Sequence, residues 1–511
     1  MFAAGDGITL ASVQTLRRRG ARQDALSSLA REHAALLVVL TAGVLLRLAV
    51  ALAYRPALLS VDSWGYLDVA LRADPVGFAP ERPSGYPLLL GVLLLPGRSL
   101  ALVTTVQHLA GLASGVLAYI LLLRLGARKA IAVAAAALLL LDVCAVTLEQ
   151  HLLSEAFFGL ALLGAAYLVI VSRGAPGLAA SGLLLGLAVT LRTTGLFAVP
   201  VWLVYLAWSR RGLPPAAAGL AVLLVVLCGY AGLHARGDPT RQANPGTFSL
   251  AEMDGWFLYA KTAAIADCRG ADIPDRARPL CQPADERSRD ADFYLFNADS
   301  PAKQLVGRHR SGEQQIEDNR MLREFALAII REHPWAYAKM VARDTAAIFT
   351  PGGRGVDVTV RLPDGGADLA GGGRAPLACE ECDAVEVEPV DTGVRDRYEP
   401  GYEPRVHWPA GLLVAYQDWF HIPRWLMGAL ALVVVLSTFL SLTRLRHRLA
   451  RRRETFLLGG MAIAVVVGSA AAANPTVRFL VPMAPLLVCG GIAGLLDLVP
   501  LHSGRRTVEK R

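Results

Sequence analysis

The sequence predicts an all-α polytopic membrane protein with about ten transmembrane helices. One extracytoplasmic domain, α+β or irregular, is inserted between helices seven and eight. The residues are 54% hydrophobic and 18% charged, whereas soluble domains carry about 25% charged residues. Several windows of about 20 residues lack a charge, which is the length that crosses a hydrocarbon core of about 30 Å. Basic clusters fall on every second loop, as the positive-inside rule requires.

The spanning helices follow the chain in the order of its apolar windows. The first 33 residues are polar and contain arginines. No small-residue cleavage site follows a short apolar core, so we expect a retained signal anchor. An even number of spans places both termini in the cytoplasm. The predicted spans cover about residues 35–54, 100–123, 130–148, 154–172, 177–193, 195–209, 215–234, 424–443, 455–473 and 479–498.

The net formal charge is +8, and its placement is more informative than its size. The basic residues gather at predicted helix ends and have no separate globular domain to carry them. This pattern disfavours nucleic-acid binding and leaves membrane lipids as the surrounding partner. The clusters are Arg17 to Arg22, Arg124 with Arg128 and Lys129, Arg173, Arg210 with Arg211, Arg444 to Arg453, and Arg505 to Arg511.

The spans divide the chain into five parts, and together they predict a multi-pass protein of the plasma membrane. Most of the predicted outer-side mass lies in a single long segment. The parts are a cytoplasmic basic tail (1–34), an N-terminal membrane region (35–234) with its first outer loop at 55–99, an extracytoplasmic domain (235–423), C-terminal membrane helices (424–498) and a cytoplasmic tail (499–511).

The first outer loop contains the sequence Ser60-Val61-Asp62-Ser63-Trp64-Gly65-Tyr66-Leu67. Ser63 to Arg72 has helical spacing, and Asp62 suits the N-cap position. The same carboxylate could act as a general base on an acceptor hydroxyl, and the residues alone favour neither role. Tyr86 to Leu95 is apolar but too short to span, so we expect it along the outer leaflet.

The extracytoplasmic domain is rich in Asp, Glu, Pro and Gly. Leu322 to Arg343 is predicted to be helical, whereas Pro351 to Arg374 and Glu380 to Glu403 are predicted to be loops with little order. Aromatic residues gather at both membrane-proximal ends. Between residues 408 and 420 they favour an interfacial belt over a sugar-binding surface, because this stretch adjoins a span.

Four of the seven cysteines lie in this domain and are expected to form disulfides on an oxidising face: Cys268, Cys281, Cys379 and Cys382. Cys268–Cys281 is the preferred pair. A metal or redox pair is the alternative for Cys379-Glu380-Glu381-Cys382, but no second motif stands at zinc spacing. The remaining Cys144, Cys228 and Cys489 are predicted to be inert packing residues.

Charged residues also occur at the outer ends of spans. Asp142 lies one heptad before Glu149, which predicts one helical face. Interfacial snorkelling is the expected role of Arg47 and an open alternative for Arg192 and Arg478. An acid beside several arginines also suits a phosphate-bearing lipid, because guanidinium groups bind phosphate and the acid activates the attacking group.

Five motifs in this order resemble the GT-C superfamily of polytopic glycosyltransferases, which use polyprenyl-phosphate sugars. The similarity is strongest to bacterial relatives of protein mannosyltransferases and lipid A aminoarabinose transferases, and it covers about residues 35–234 and 424–490. The motifs are the acid Asp62, Arg82-Pro83-Ser84-Gly85-Tyr86-Pro87-Leu88, Leu153 to Glu155, Leu191 to Gly195, and Arg478 to Leu487.

The resemblance implies an inverting transferase in which Asp62 is the base on the acceptor. Arg192 and Arg478, with Arg82 as a further candidate, would meet the charge on the departing lipid phosphate. Glu155 would orient the substrate. Tyr66, Tyr86 and His151 adjoin these motifs and are assigned to substrate binding.

A divalent cation is not assigned, because this chain departs from the superfamily pattern. Many relatives have a second acid beside the first, whereas Ser63 follows Asp62 here. The next acid, Asp68, lies on a different helical face. A cation site shared with Glu81 or Glu155 stays an open alternative.

The predicted function is therefore a membrane glycosyltransferase of the cell envelope. It would move a sugar from a polyprenyl-phosphate donor to a hydroxyl of an envelope glycan, lipid or protein at the outer face. The alternative is a flippase or transporter of lipid-linked envelope intermediates. Transporters have paired repeats and broken helices in corresponding positions, and the sequence shows neither.

Overall fold

A computed structural model describes most of the chain. The helices long and apolar enough to cross a membrane lie before residue 236 and after residue 408. The described residues are 28, 31–59, 61–70, 83–209, 212–236, 248–250, 253–288, 290–306, 312–350, 405–406, 408–417, 419–443, 450–472 and 477–498.

The described residues of the N-terminal half are mainly helical. A 3-10 turn, Thr193–Phe197, stands before α9. In chain order the helices are α1 (Ala34–Ala53), α2 (Val61–Ala70), α3 (Gly85–Leu94), α4 (Leu100–Arg124), α5 (Lys129–Leu140), α6 (Val143–Gln150), α7 (Glu155–Val171), α8 (Ala175–Leu191), α9 (Ala198–Trp208) and α10 (Leu213–His234).

The remainder continues with more polar helices of various lengths and ends with three apolar ones. Short 3-10 turns cover Asp275–Leu280, Val477–Phe479 and Val481–Met483. The helices are α11 (Asp254–Ala263), α12 (Ala291–Phe296), α13 (Pro301–Val306), α14 (Gly312–Glu332), α15 (Pro334–Phe349), α16 (Ala410–Gln417), α17 (Arg424–Ser441), α18 (Arg452–Ala472) and α19 (Ala484–Leu498).

The chain is a multi-pass membrane protein of the all-α class. Within the described residues, six helices are long and apolar enough to cross a membrane, or seven if a bent pair counts as one span. The further apolar helices Glu155–Val171, Ala175–Leu191 and Thr193–Trp208 are shorter than 18 residues. Ten helical segments therefore stand where ten spans are expected, and the number that crosses the membrane stays a prediction.

The third predicted span, 130–148, is broken. It is divided into α5 and α6, which meet at an angle of 45°. Asp142 lies in the break and caps α6, since its Oδ2 accepts the Ala145 amide at 3.1 Å. Asp142 is the N-cap of α6 and Glu149 lies within α6, on the same side of the break, and both residues line one cavity. Within the described residues this is one bent helix pair, whereas the transporter alternative expects broken helices in corresponding positions of two repeats.

The break is stabilised by groups from elsewhere in the chain. Asp142 Oδ1 accepts the Ile422 amide at 3.0 Å. The Tyr416 hydroxyl donates to the Leu141 carbonyl oxygen at 2.5 Å, and the Val143 amide donates to the Phe420 carbonyl oxygen at 2.9 Å. These bonds satisfy backbone groups that a break leaves unpaired. They also attach the segment before α17 to the outer part of the broken helix.

The first outer loop contains two short helices. α2 begins at Val61, so Asp62 lies within its first turn rather than at the N-cap. α3 has the expected length for a helix that does not span. α1 continues into the strand β1 (Tyr54–Arg55), which pairs antiparallel with β2 (Arg405–Val406).

The described residues between 253 and 350 are helices, one 3-10 turn and loops. The expectation of an α+β or irregular domain over 235–423 stays a prediction, because much of that range lies outside the described residues. Tyr259, Tyr294, Leu322 and Phe325 are fully buried in one core. The predicted helix from Leu322 to Arg343 is divided between α14 and α15, since Pro334 cannot continue a helix and starts the next one. Residues 351–404, including both predicted loops, lie outside the described residues.

The cysteines separate into paired and free groups. Cys268 and Cys281 form a disulfide with a Cα–Cα distance of 6.0 Å. Cys144 is also disulfide-bonded, so its assignment as an inert packing residue is wrong. Cys228 and Cys489 are free. Cys379 and Cys382 lie outside the described residues.

The membrane helices pack closely at small residues. A Cβ placed on Gly182 of α8 would lie 2.1 Å from the Gly219 carbonyl oxygen of α10. The backbones of these two helices are therefore in direct contact, as is usual for helix packing in membranes. The large apolar core beside this contact fixes the helix ends that carry the charged residues described next.

Candidate active site

Four charged residues that are distant in sequence meet at one end of the helical bundle. Asp62 comes from the first turn of α2, and Glu155 is the first residue of α7. Arg192 follows α8, and Arg478 lies in the 3-10 turn Val477–Phe479. Each stands at a helix end or turn, where side chains from neighbouring helices can converge.

Arg478 joins the two carboxylates. Its Nη1 donates to Asp62 Oδ2 at 2.5 Å, and its Nε donates to Glu155 Oε1. Arg192 Nη1 donates to the same Glu155 oxygen. The four residues therefore form one continuous ion-pair cluster, which we call the Asp62–Arg478 cluster.

The local backbone accounts for these positions. Glu155 lies in the first turn of a helix, where unpaired amides and the helix dipole favour a negative charge. Arg192 is the C-cap of α8 with an extended backbone (φ −148°, ψ 121°), so its side chain leaves the helix axis and reaches the neighbouring α7. The 3-10 turn before α19 likewise allows the Arg478 side chain to reach Glu155.

The four side chains of the cluster differ in their exposure to solvent. The Glu155 side chain is 1% exposed, Arg192 and Arg478 are 12% and 14% exposed, and Asp62 is 30% exposed. Solvent and substrate can therefore reach Asp62 first, while Glu155 forms the floor. Two acids and two guanidinium groups balance in formal charge.

Arg478 remains cationic in this setting. Burial alone would lower the pKa of Arg478, but Glu155 and Asp62 raise it, and the net shift is upward. The Arg192 guanidinium lies 4.8 Å from the centre of the Phe479 ring, a cation–π contact. Both groups are thus positioned to bind an anion.

The cluster has unused hydrogen-bonding capacity. Glu155 Oε2 is buried and has no hydrogen-bond partner within the described part of the chain. A cavity of about 50 Å³ lies beside it, lined by apolar side chains together with Asp142, Glu149 and Glu155. An unsatisfied buried carboxylate oxygen is costly, so this position suits a hydroxyl group or water that donates to it.

Tyr66 and Tyr86 lie beside the cluster. Their rings make an edge-to-face contact with a centroid distance of 4.9 Å. Tyr86 is fully buried and its hydroxyl donates to Gln107 Oε1 at 2.5 Å. Burial raises its pKa well above the usual value for tyrosine. The Tyr86 hydroxyl is thus bonded inside the protein, and its predicted contact with substrate stays a prediction.

His151 is also placed inside the protein. Its Nδ1 is 2.9 Å from the Thr147 carbonyl oxygen, and its side chain is buried. Its backbone forms a parallel bridge with Leu58. His151 therefore helps to join the first outer loop to α6, and its predicted contact with substrate stays a prediction. The other predicted binding residue, Arg82, lies outside the described residues.

A second charged cluster lies deeper, and sequence reasoning missed it. Arg47 Nε and Nη2 donate to the two oxygens of Glu149, each at 2.7 Å. His108 Nδ1 is 2.8 Å from Glu149 Oε2. The expectation that Arg47 snorkels is wrong: its side chain is buried, and its Nη1 also donates to the Leu140 carbonyl oxygen at 2.8 Å, where the break leaves that group unpaired. A lone His108 in an apolar helix was the available sequence signal.

Gln107 joins the end of α6 to Tyr86 of α3. Its Nε2 donates to the carbonyl oxygens of Glu149 and His151 at 2.7 and 2.6 Å, and its Oε1 accepts from Tyr86. The end of α6 is thus held in register with the helices of the first outer loop. This network makes the Arg47–Glu149 pair a support of the site.

The described residues do not fit a divalent cation. They contain no group of three His, Cys, Asp or Glu side chains arranged to hold a metal ion. Asp62 and Glu155 both bind the Arg478 guanidinium, whose positive charge would repel a cation placed between them. Glu81, the alternative ligand, lies outside the described residues.

No family model matches this sequence, and no curated protein matches it significantly. Similar solved structures include the Archaeoglobus fulgidus oligosaccharyltransferase tethered with an acceptor peptide (TM-score 0.39, 13% identity, 92% of this chain). Another is AglB of that organism with an inhibitory peptide and a dolichol-phosphate (TM-score 0.37, 13% identity, 90% of this chain). The chain spans about half the length of these archaeal proteins, at 50% of each.

A third similar structure is ArnT from Cupriavidus metallidurans bound to undecaprenyl phosphate, with a TM-score of 0.33 and 13% identity over 89% of this chain and 77% of that one. These neighbours are GT-C glycosyltransferases, the superfamily that the sequence resembles. TM-scores below 0.5 do not establish a common fold. The function of this chain is therefore argued from its own residues.

Proposed function

We propose that this protein is a membrane glycosyltransferase of the GT-C type. It would transfer a sugar from a polyprenyl-phosphate donor to a hydroxyl of an envelope glycan, lipid or protein on the outer side of the membrane. The observation that carries the proposal is the convergence of Asp62, Glu155, Arg192 and Arg478 on one cluster at the end of apolar helices. A phosphate on a lipid chain matches both the charge of the arginines and the apolar surroundings.

Each residue has a separate role in this proposal. Asp62, the most exposed acid, takes the proton of the acceptor hydroxyl while that oxygen attacks the anomeric carbon. The bond between this carbon and the phosphate oxygen breaks, and its electron pair leaves with the lipid phosphate. Arg192 and Arg478 stabilise that charge. Attack opposite to the leaving group inverts the configuration of the sugar.

The geometry supports these roles through donors that remain available. Arg192 uses Nη1 for Glu155, and its other nitrogen atoms have no hydrogen-bond partner among the described residues. A guanidinium has five N–H donors, so it can bind a carboxylate and a phosphate together. Glu155 Oε2 is placed to accept a hydrogen bond from a sugar hydroxyl.

The Arg478–Asp62 ion pair suggests how substrate binding prepares the base. A donor phosphate would compete with Asp62 for the Arg478 guanidinium. Loss of this ion pair would make the carboxylate a stronger base, because the neighbouring positive charge no longer favours its ionised form. Asp62 would therefore become reactive in the presence of the donor, which limits unproductive chemistry.

The proposal predicts a specific loss of activity in Asp62→Asn. The amide keeps the size and most polarity of the side chain but is not a base, so sugar transfer should fall by about 10²- to 10⁴-fold. The measurement is release of polyprenyl phosphate from a panel of polyprenyl-phosphate sugars by protein in proteoliposomes. Asp68→Asn, the same change on the same helix α2, is the matched control.

Turnover by Asp62→Asn equal to the wild-type rate would reject Asp62 as the base. Donor binding gives a second criterion: Arg192→Ala and Arg478→Ala should each bind undecaprenyl phosphate more weakly than wild type. Full affinity in both variants would remove these arginines from the site. A transporter would instead move the lipid-linked sugar between leaflets without releasing polyprenyl phosphate, and would be insensitive to Asp62→Asn.

A further inference from the structure

Helix α15 is an amphipathic helix that lies against two spanning helices. The Tyr337 hydroxyl donates to the Ala471 carbonyl oxygen of α18 at 2.8 Å. Near the other end, Ile348 is buried in the core of the spanning helices, and Phe349 contacts Gly428 of α17. Lys261 of α11 donates to Asp344. One face of α15 is therefore fixed at several positions along its length.

The contacts place α15 at the end of the spanning helices, inclined to their axes. α17 and α18 run antiparallel, with Val434 against Gly459. At 1.5 Å per residue, Ala471 is about 9 Å nearer the helix ends than Gly428, while α15 advances about 18 Å between Tyr337 and Phe349. Its axis is thus inclined by about 30° to a plane across the bundle. A helix that lies at a low angle across the ends of two spanning helices has the orientation expected of a helix in the membrane interface.

The opposite face of α15 is exposed and has a distinct composition. It contains Trp335, which is 80% exposed, followed at intervals of four residues by Lys339 and Arg343. Alanines at positions 338, 342 and 346 lie between them, so the two long cationic side chains are not shielded by large neighbours. We call this the Trp335–Arg343 face.

Neither cation on this face has a partner within the described part of the chain. Lys339 and Arg343 make no hydrogen bond or ion pair there. Two like charges at i and i+4 of a helix destabilise it unless an anion lies between them. Tryptophan with lysine and arginine is the combination that anchors helices among lipid headgroups.

We propose that the Trp335–Arg343 face binds anionic phospholipid. The lipid belongs to the leaflet that surrounds the first turns of α17 and the last turns of α18. Lys339 and Arg343 hold the lipid phosphate between them, and Trp335 lies among the headgroups. Lipid is the occupant because the helix lies across the ends of two spans, where phosphate groups surround the protein. This assignment does not depend on the proposed transferase activity.

The experiment uses the full chain in nanodiscs of phosphatidylcholine that contain a minor fraction of brominated lipid. Quenching of tryptophan fluorescence by brominated phosphatidylglycerol is compared with quenching by brominated phosphatidylcholine. The difference between wild type and Trp335→Phe isolates the Trp335 signal. We expect phosphatidylglycerol to be preferred at Trp335 by about fivefold for each cation. The double variant Lys339→Gln with Arg343→Gln should lose this preference.

The matched control is Arg320→Gln with Arg331→Gln, which removes two exposed cations from α14 and should keep the preference. Absence of a Trp335 signal with either brominated lipid would show that the face is not in the membrane and overturn the proposal. Equal quenching by both lipids in wild type, or retained preference in the Lys339 and Arg343 variant, would also overturn it. Loss of the preference on adding soluble glycerol phosphate would indicate a site for soluble anions and reject the lipid assignment.

Discussion

At the scale of single residues, Arg478 decides the organisation of the candidate site. Its guanidinium contacts Asp62 and Glu155, which are 416 and 323 residues away in sequence. Glu155 offsets two arginines while it is almost completely buried. Removing one partner from a buried ion-pair network leaves uncompensated charge, which costs more than the net contribution of the pairs.

This charge balance predicts the behaviour of Glu155→Gln. The variant leaves Arg192 and Arg478 short of one negative charge, so the free energy of unfolding should fall by about 3–5 kcal/mol. A lipid phosphate should replace the missing charge. Undecaprenyl phosphate should therefore raise the thermal midpoint of Glu155→Gln by more than it raises that of wild type, measured by intrinsic fluorescence in detergent.

Glu324→Gln is the matched control, because Glu324 pairs with Arg276 at an exposed position. Exposed pairs contribute about 0–1 kcal/mol, so this variant should unfold near the wild-type midpoint. If undecaprenyl phosphate stabilised Glu155→Gln no more than wild type, the two arginines would not form a phosphate site.

At the scale of elements, the broken helix α5–α6 is the main departure from a simple span. Apolar periodicity runs through residues 130–148 without a proline or glycine to mark a break. The break exists because Asp142 caps α6 and the segment before α17 supplies an amide, a hydroxyl and a carbonyl to it. Such partners come from a part of the chain about 280 residues away, and local sequence does not show them.

The cap predicts different results for two substitutions at one position. Asp142→Ala removes the acceptor for the Ala145 and Ile422 amides and should lower the free energy of unfolding by about 1–2 kcal/mol. Asp142→Asn keeps an acceptor oxygen and should cost less. Thermal unfolding of both purified variants measures the difference. Equal stability of Asp142→Ala and wild type would show that the break does not depend on this cap.

At the scale of the whole molecule, the membrane helices form one bundle, and charged residues from its turns and loops meet at one end of it. The helices of residues 253–350 have a separate core but are attached to the spans through α15. Arginines at the other ends of the spans continue to predict the cytoplasmic side. The orientation follows from this charge pattern and is open to direct measurement.

The orientation predicts which positions a membrane-impermeant maleimide reaches in intact cells. In a Cys228→Ser background, Leu95→Cys in the first outer loop should react, whereas Arg173→Cys between α7 and α8 should react only after the membrane is permeabilised. Both residues are exposed. If Arg173→Cys alone were labelled in intact cells, the topology would be the opposite of the predicted one, with Asp62 on the cytoplasmic side.

Local sequence was sufficient for much of the architecture. The positions of the long helices, the two short helices of the first outer loop and the resemblance to GT-C transferases follow from apolar length and short motifs. These are properties of contiguous residues, because a spanning helix satisfies its own backbone hydrogen bonds. The list of candidate residues also included every member of the Asp62–Arg478 cluster.

The sequence by itself determined a multi-pass helical protein with charged residues near the ends of its spans. Only the tertiary structure decided which charges are paired: Arg478 with two acids, and Arg47 with Glu149 inside the bundle rather than at the interface. It also showed that Tyr86 and His151 are buried. The physical reason is that hydrophobic length acts locally, whereas an ion pair in a membrane protein depends on which distant helix ends come within about 3 Å of each other.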